Sequence, residues 1–227
     1  MEEKIFNLGD YVEAVNEKID TTYIGYIAVI NNHEIGGNGS TYRGGKYSYD
    51  ILVERNGKHI ITAKNAVVVE DSMRLLAKAD TIASKALKVA LDAHEGQVDK
   101  AGVDYANHFV TVGEFVKEVT NNDQILAVAY LHDVLEDTEV TEEDLREIFS
   151  VDIVEAVKAL TKEKYENYQH YLGRVKTNKW ARIVKLADLK HNSDMDRIKK
   201  KLKTPLGWRD FKRMKKYQDA IKFLEAE

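Results

Sequence analysis

The chain has 227 residues, 32% of them charged and 44% hydrophobic, with a formal net charge of −4 and no cysteine. This is the make-up of a folded chain long enough for one large domain or two small ones, not of a disordered one. The lack of cysteine excludes disulfides and thiolate metal sites, leaving imidazole nitrogen and carboxylate oxygen as the only strong metal donors.

No apolar run approaches the length of a membrane span. The N-terminus, Met1-Glu2-Glu3-Lys4, lacks the basic-then-apolar pattern of a signal peptide, so a cytoplasmic protein is expected.

Eight of the thirteen glycines fall in the first 57 residues, which sets this stretch apart from the rest of the chain. Residues 23–30, 47–53, 59–62 and 66–69 are short β-branched and aromatic runs divided by polar or glycine-rich breaks, the pattern of strands. Asn56-Gly57 suits a two-residue hairpin turn. The loop 31–46, with Gly36, Gly37, Gly39, Gly44 and Gly45, reads as a long hairpin connection or a binding loop. Residues 1–72 are therefore expected to form a small antiparallel barrel or curled sheet. Phe6 to Val12 and the tyrosines of this stretch resemble the start of small Tudor- or KOW-like barrels, and that resemblance implies a binding module for a protein or nucleic-acid partner.

From residue 73 the period changes. Leu75, Leu76, Ala79, Ile82, Ala83, Ala86, Leu87 and Ala90 follow steps of three and four, predicting a helix to about residue 93. Further helices are expected over 124–135, over 141–148 behind a capping box at Thr141 and Asp144, from 153 to 160, over 179–192, and from Leu206 after Pro205 to about 224. Residues 73–227 thus read as an all-helical domain, and the whole chain as an α+β protein of two domains. Between Arg197 and Lys216 there are ten Lys or Arg and one acid, Asp210, a solvated helix face, a wall for phosphate or an RNA contact.

The stretch Leu131-His132-Asp133-Val134-Leu135-Glu136-Asp137 concentrates the chemistry. On a continuous helix His132 lies above Glu136 and Asp133 above Asp137, since residues four apart share a face. An imidazole beside a carboxylate is ligand chemistry for a hard or borderline divalent ion, and two further carboxylates can handle water. A lone His-Asp pair is more often solvated surface, so the rest of the chain must supply further ligands.

It does so in order. Ala93-His94-Glu95-Gly96-Gln97, Asp99-Lys100-Ala101-Gly102 with Tyr105 and His108, the His132–Thr138 stretch, Leu160-Thr161-Lys162, and Val184-Lys185-Leu186-Ala187-Asp188-Leu189-Lys190-His191-Asn192 resemble the HD hydrolase domain of the Rel/SpoT type, from about residue 73 to 224. Thr204-Pro205-Leu206-Gly207-Trp208 adds a likeness to the small alarmone hydrolases, including the metazoan form.

The resemblance implies one Mn²⁺ held by His108, His132, Asp133 and Asp188, with Glu136 and Asp137 handling water. It implies nucleotide contacts at Lys100, Tyr105, Lys162 or Lys164, Asn192 and Lys212, and removal of the 3′-pyrophosphate from (p)ppGpp or a related purine nucleotide. It assigns no ligand role to His94, read as structural, or to His191, read as a neighbour of the ligands or a surface histidine.

Two departures bear on the substrate. Asp99 and Leu189 stand where long Rel enzymes carry arginine, and an aspartate cannot stack on a purine as arginine does. Two alternatives stay open: an HD phosphohydrolase of another nucleotide, such as an adenosine alarmone or a nucleoside monophosphate, and a non-catalytic nucleotide-sensing module. No synthetase region is present in these 227 residues.

Overall fold

The computed structural model describes residues 11–16, 21–32, 47–55, 58–61, 73–99, 104–194 and 207–226. Several sequence expectations lie outside these residues: the strand at 66–69, the Asn56-Gly57 turn, most of the glycine-rich loop, Lys100, and the first half of the basic run with Pro205. The chain divides into two units, 1–88 and 89–227.

In the first unit the runs at 23–30, 47–53 and 59–62 become strands β2 (Thr21–Asn32), β3 (Tyr47–Arg55) and β4 (Lys58–Ile61), and two strands that were not expected, β1 (Tyr11–Asn16) and β5 (Met73–Ala77), join them. They form an antiparallel sheet in the order β4-β3-β2-β1-β5. The β3–β4 ladder runs to the pair Arg55↔Lys58, leaving two residues between the strands. Among the described residues β4 and β5 are not paired with each other, so the sheet is present and closure into a barrel is not shown.

Strand β5 corrects the helix expected from residue 73. Leu75 and Leu76 fit either period over so short a run, and pairing with β1, Val12 opposite Leu75, gives the segment a sheet edge to complete. Val12 and Leu76 are fully buried. Asp80, at φ 57°, ends the strand segment in the left-handed region that aspartate tolerates. Thr81 then caps helix α1 (Ile82–Ala93) by accepting from the Ser84 N–H at 3.2 Å.

The second unit is helical: α2 (Ala106–Lys117), α3 (Asp123–Leu131), α4 (Val134–Asp137), α5 (Glu142–Ile148), α6 (Val151–Leu160), α7 (Tyr168–Thr177), α8 (Lys179–Asn192) and α9 (Trp208–Glu225). An isolated bridge, Val98↔Asp104, is its one described β feature. Side chains dictate the starts of these helices. Asn122, Asn167 and Asn178 accept from the first backbone N–H groups of α3, α7 and α8. Thr141 and Asp144 form the expected reciprocal cap of α5.

Helix α3 sits at the centre, buried at every position from Ile125 to Leu131, and packs on α2, α6 and α8. A helix apolar all round has to be a core helix. Gly113 of α2 faces it so closely that a Cβ would stand 2.5 Å from Cε1 of the buried Tyr130. The helices α2 and α7 carry no clear sequence signal: the apolar stripe of α2 is interrupted at Gly113, and α7 buries only Tyr171, Leu172 and Val175.

The helix expected over 124–135 is broken at His132 and Asp133. Asp133 has φ −103° and ψ −3°, the bridge conformation common at functional turns. Asp133 and Asp137 keep their one-turn relation, with the Asp137 N–H bonded to the Asp133 carbonyl at 2.9 Å. His132 belongs to the end of α3 and Glu136 to the new short helix.

Candidate metal centre

Three elements converge beside the core. Helix α2 carries His108 on its buried face, the α3–α4 junction supplies His132 and Asp133, and α8 brings Asp188. His108, His132 and Asp188 are 6%, 2% and 4% exposed, and each offers a donor atom within 4.8 Å of the others. Polar side chains are buried this deeply only when something pairs with them.

The two imidazoles are oriented from behind. His132 Nδ1 stands 2.8 Å from the Ala129 carbonyl, which can only accept, so Nδ1 carries a proton and the Nε2 edge of the ring faces the cluster. His108 Nε2 lies 3.1 Å from His132 Nε2, 3.3 Å from Asp133 Oδ2 and 3.4 Å from Asp188 Oδ1. Asp133 Oδ2 is also 2.9 Å from His132 Nε2.

Burial alone would depress the His108 imidazole, but hydrogen bonds to Asp133 and Asp188 outweigh it and push the group up to about 9. Burial likewise opposes charge on Asp133, yet His132 and His108 hold that carboxyl well below the usual range. Two imidazoles and a carboxylate without thiolate, at His108, His132 and Asp188, make a group that could hold a divalent metal ion.

Asp188 is held on both oxygens. Lys185 Nζ, one turn earlier on α8, donates to Oδ2 at 2.8 Å, and Asn192 Nδ2 donates to Oδ1. Burial would raise Asp188, and the Lys185 charge, acting first among the opposing influences, brings it below the ordinary value. Tyr105, just before α2, donates its hydroxyl to Asp133 Oδ2 at 2.5 Å and reaches Asp137 Oδ2 at 3.4 Å.

The other expected residues fall in different places. Asp137 lies beside Tyr105, whereas Glu136 accepts from the Lys162 backbone N–H at 2.9 Å. Burial raises both carboxyls, and the Asp133 charge adds to it. Lys162 turns its ammonium to the Glu163 carbonyl at 2.9 Å. Lys164 lies 5.7 Å from the Tyr165 ring centroid. Lys212 lies over Trp208 and lines a cleft of about 690 Å³ between α7 and α9, together with Tyr168, Arg209, Arg213 and Lys216.

Two residues support the group: His191, which the sequence leaves as a neighbour of the ligands or a surface histidine, and Lys185, to which it gives no role. His191, 6% exposed, faces His108 with 2.7 Å between their Nδ1 atoms, and Lys185 grips Asp188. Both sit three residues from Asp188, so they share its side of α8, and that spacing is the signal that could have found them.

Known proteins share this region of the chain. A family model described as an HD domain matches residues 86–202. The guanosine-3′,5′-bis(diphosphate) 3′-pyrophosphohydrolase of Haemophilus influenzae is 35% identical over 115 residues, 46% of this chain and 17% of that protein. The bifunctional (p)ppGpp synthase/hydrolase SpoT of Escherichia coli is 34% identical over 119 residues, 48% of this chain and 17% of its own. The chain thus aligns with about a sixth of these curated relatives. A solved structure described as a metazoan ortholog of SpoT that hydrolyzes ppGpp shares the fold, with a TM-score of 0.54, 22% identity, and coverage of 66% of this chain and 89% of that one.

Proposed function

The chain belongs to the HD-domain family, and from that premise we propose that it is a metal-dependent phosphohydrolase that removes the 3′-pyrophosphate from (p)ppGpp or a closely related purine nucleotide. Water adds to the phosphorus attached to the ribose, the bond from that phosphorus to the 3′-oxygen breaks, and pyrophosphate leaves a free 3′-hydroxyl. The observation that carries the reading is the buried group of His108, His132 and Asp188, with the half-buried Asp133 3.3 Å from His108 Nε2, and the names of the aligned relatives supply the substrate class.

These four residues would hold one Mn²⁺ or similar ion. When bound, such an ion supplies Lewis acidity, stabilising charge on a phosphoryl oxygen and lowering the pKa of water. Glu136 and Asp137 stand one turn beyond Asp133, and their raised proton affinity suits them to take the proton of the attacking water. Lys185 offsets the negative charge of Asp188, and Asn192 keeps its Oδ1 aimed at the cluster. Tyr105, Lys100, Lys162, Lys164, Asn192 and Lys212 are the proposed nucleotide contacts.

A second substrate reading is carried by Asp99 and Leu189 at positions where arginine would grip a purine: the same chemistry on an adenosine alarmone or a nucleoside monophosphate. A nucleotide panel with Mn²⁺, resolved by product, separates the two. Release of pyrophosphate from ppGpp is the expected result, and turnover confined to adenosine nucleotides or to monophosphates moves the assignment. His132→Ala is expected to lose both Mn²⁺ binding and turnover; retained hydrolysis by that variant would overturn the metal site.

A further inference from the structure

We propose that Gln97 is a positioning residue that holds Asp137 and Tyr105 in register, an inference that rests on the reading of Asp137 as a proton acceptor for water. Helix α1 ends at Ala93, and Gly96, at φ 75°, reverses the chain so that the Gln97 N–H returns to the His94 carbonyl at 3.0 Å. From that turn Gln97 makes three more polar contacts. Its carbonyl accepts from the Tyr105 N–H at 3.0 Å, its Nε2 donates to the Asp137 carbonyl at 3.0 Å, and its Oε1 lies 2.9 Å from His94 Nδ1.

The chemistry of the partners fixes the arrangement. The Asp137 carbonyl can only accept, so the amide nitrogen must face it and Oε1 must face His94. His94 therefore donates from Nδ1 and keeps an unprotonated Nε2, a buried atom without a hydrogen-bond partner among the described residues. The ring is 3% exposed and packs on Tyr105 and Phe109, with centroids 4.7 and 5.7 Å away. It is a rigid backstop for the Gln97 amide.

The need for such a brace lies in α4, which has four residues. One turn cannot sustain itself, and its last carbonyls have no donor within the helix. Gln97, forty residues earlier, supplies one to Asp137. The same residue holds the backbone of Tyr105, whose hydroxyl bonds Asp133 and Asp137. Two side chains that meet at the centre thus hang by their backbones from one residue. Proton transfer demands heavy atoms within about 2.6–3.2 Å, so a small drift of Asp137 is felt in turnover.

The test uses the full chain loaded with Mn²⁺ and ppGpp as substrate. Gln97→Met keeps the length and removes both side-chain hydrogen bonds. Gln97→Glu keeps the acceptor for His94 and sets an oxygen against the Asp137 carbonyl. Both are expected to lower kcat about 10- to 100-fold, the usual cost of losing an outer partner, with KM and Mn²⁺ affinity unchanged.

In an Asp137→Asn background the additional loss from Gln97→Met should vanish. An unchanged kcat, or the same fold-loss in both backgrounds, would overturn the proposal. Hydrogen–deuterium exchange of residues 134–138 is measured on the same samples and should be faster in Gln97→Met, with α6 unaffected. If the parent chain turns over no nucleotide, the hydrolase reading fails by itself and the exchange decides the brace: faster exchange supports it, unchanged exchange overturns it.

Discussion

Among single residues, His191 best shows what a buried polar contact commits a protein to. Its Nδ1 lies 2.7 Å from His108 Nδ1, inside the core and behind the face of His108 that looks toward the cluster. With a cation on the far nitrogen, His108 must donate from Nδ1, and His191 is the acceptor that fixes ring and tautomer, a part more often taken by a carboxylate or a carbonyl. His191→Phe keeps a ring of similar volume and deletes that acceptor. Mn²⁺ affinity measured by calorimetry is expected to fall about 10- to 100-fold, and an unchanged affinity would show that His108 needs no such support.

His108, His132 and Asp188, which the fold brings within 4.8 Å of one another, were legible in the sequence, because His, Asp and their order along the chain mark them. The support was legible only in part: His191 and Lys185 stand three residues from Asp188, which marks them as its neighbours, but the pairs His191–His108 and Gln97–Asp137 span 83 and 40 positions, and only a fold reveals which of many such pairs meet.

Between the elements, the loop from α6 to α7 is tied by one side chain. Arg174 donates to the carbonyls of Lys158 and Thr161 at 2.6 and 3.0 Å and pairs with Glu166 at 2.6 Å. The Lys162 N–H in this loop holds Glu136, so the staple bears on the centre. The hydrogen bond from Arg174 brings the Glu166 carboxyl below its ordinary value of 4.5.

A group lowered on folding adds stability above its unfolded pKa, and that contribution is lost as pH falls through the folded value. Between pH 7 and 3 the parent chain is therefore expected to lose more stability than Glu166→Gln, read as urea midpoints against pH; parallel curves would overturn the assignment. Helices were legible where capping side chains and long stripes marked them, as at α5 and α8. They were hidden where a glycine admits a neighbour, as in α2, or where the chain must break to aim a side chain, as at His132 and Asp133.

For the whole molecule, the sequence separates a β-rich start from a helical remainder, and strand β5 shows why the change of period at residue 73 is not a change of structure there. No helix among the described residues is long and apolar enough to cross a membrane. A ligand that binds only the folded form stabilises it by mass action, by about 2.7 kcal/mol at a hundredfold excess over Kd. Mn²⁺ is thus expected to raise the thermal midpoint of the parent chain in a concentration-dependent way and to leave that of His132→Ala where it was. An equal rise in both would place the ion elsewhere.

The wide spacing of the four donors, from His108 to Asp188, also orders events in time. The consecutive helices α2 and α3 bring His108 and His132 together early, but Asp188 arrives only when α8 meets α2, which closes a loop of about eighty residues, the slow kind of contact in a folding chain. Capture of the ion therefore reports the last assembly step. In refolding followed by a metal-sensitive dye, uptake should lag the recovery of helical signal and appear as one phase.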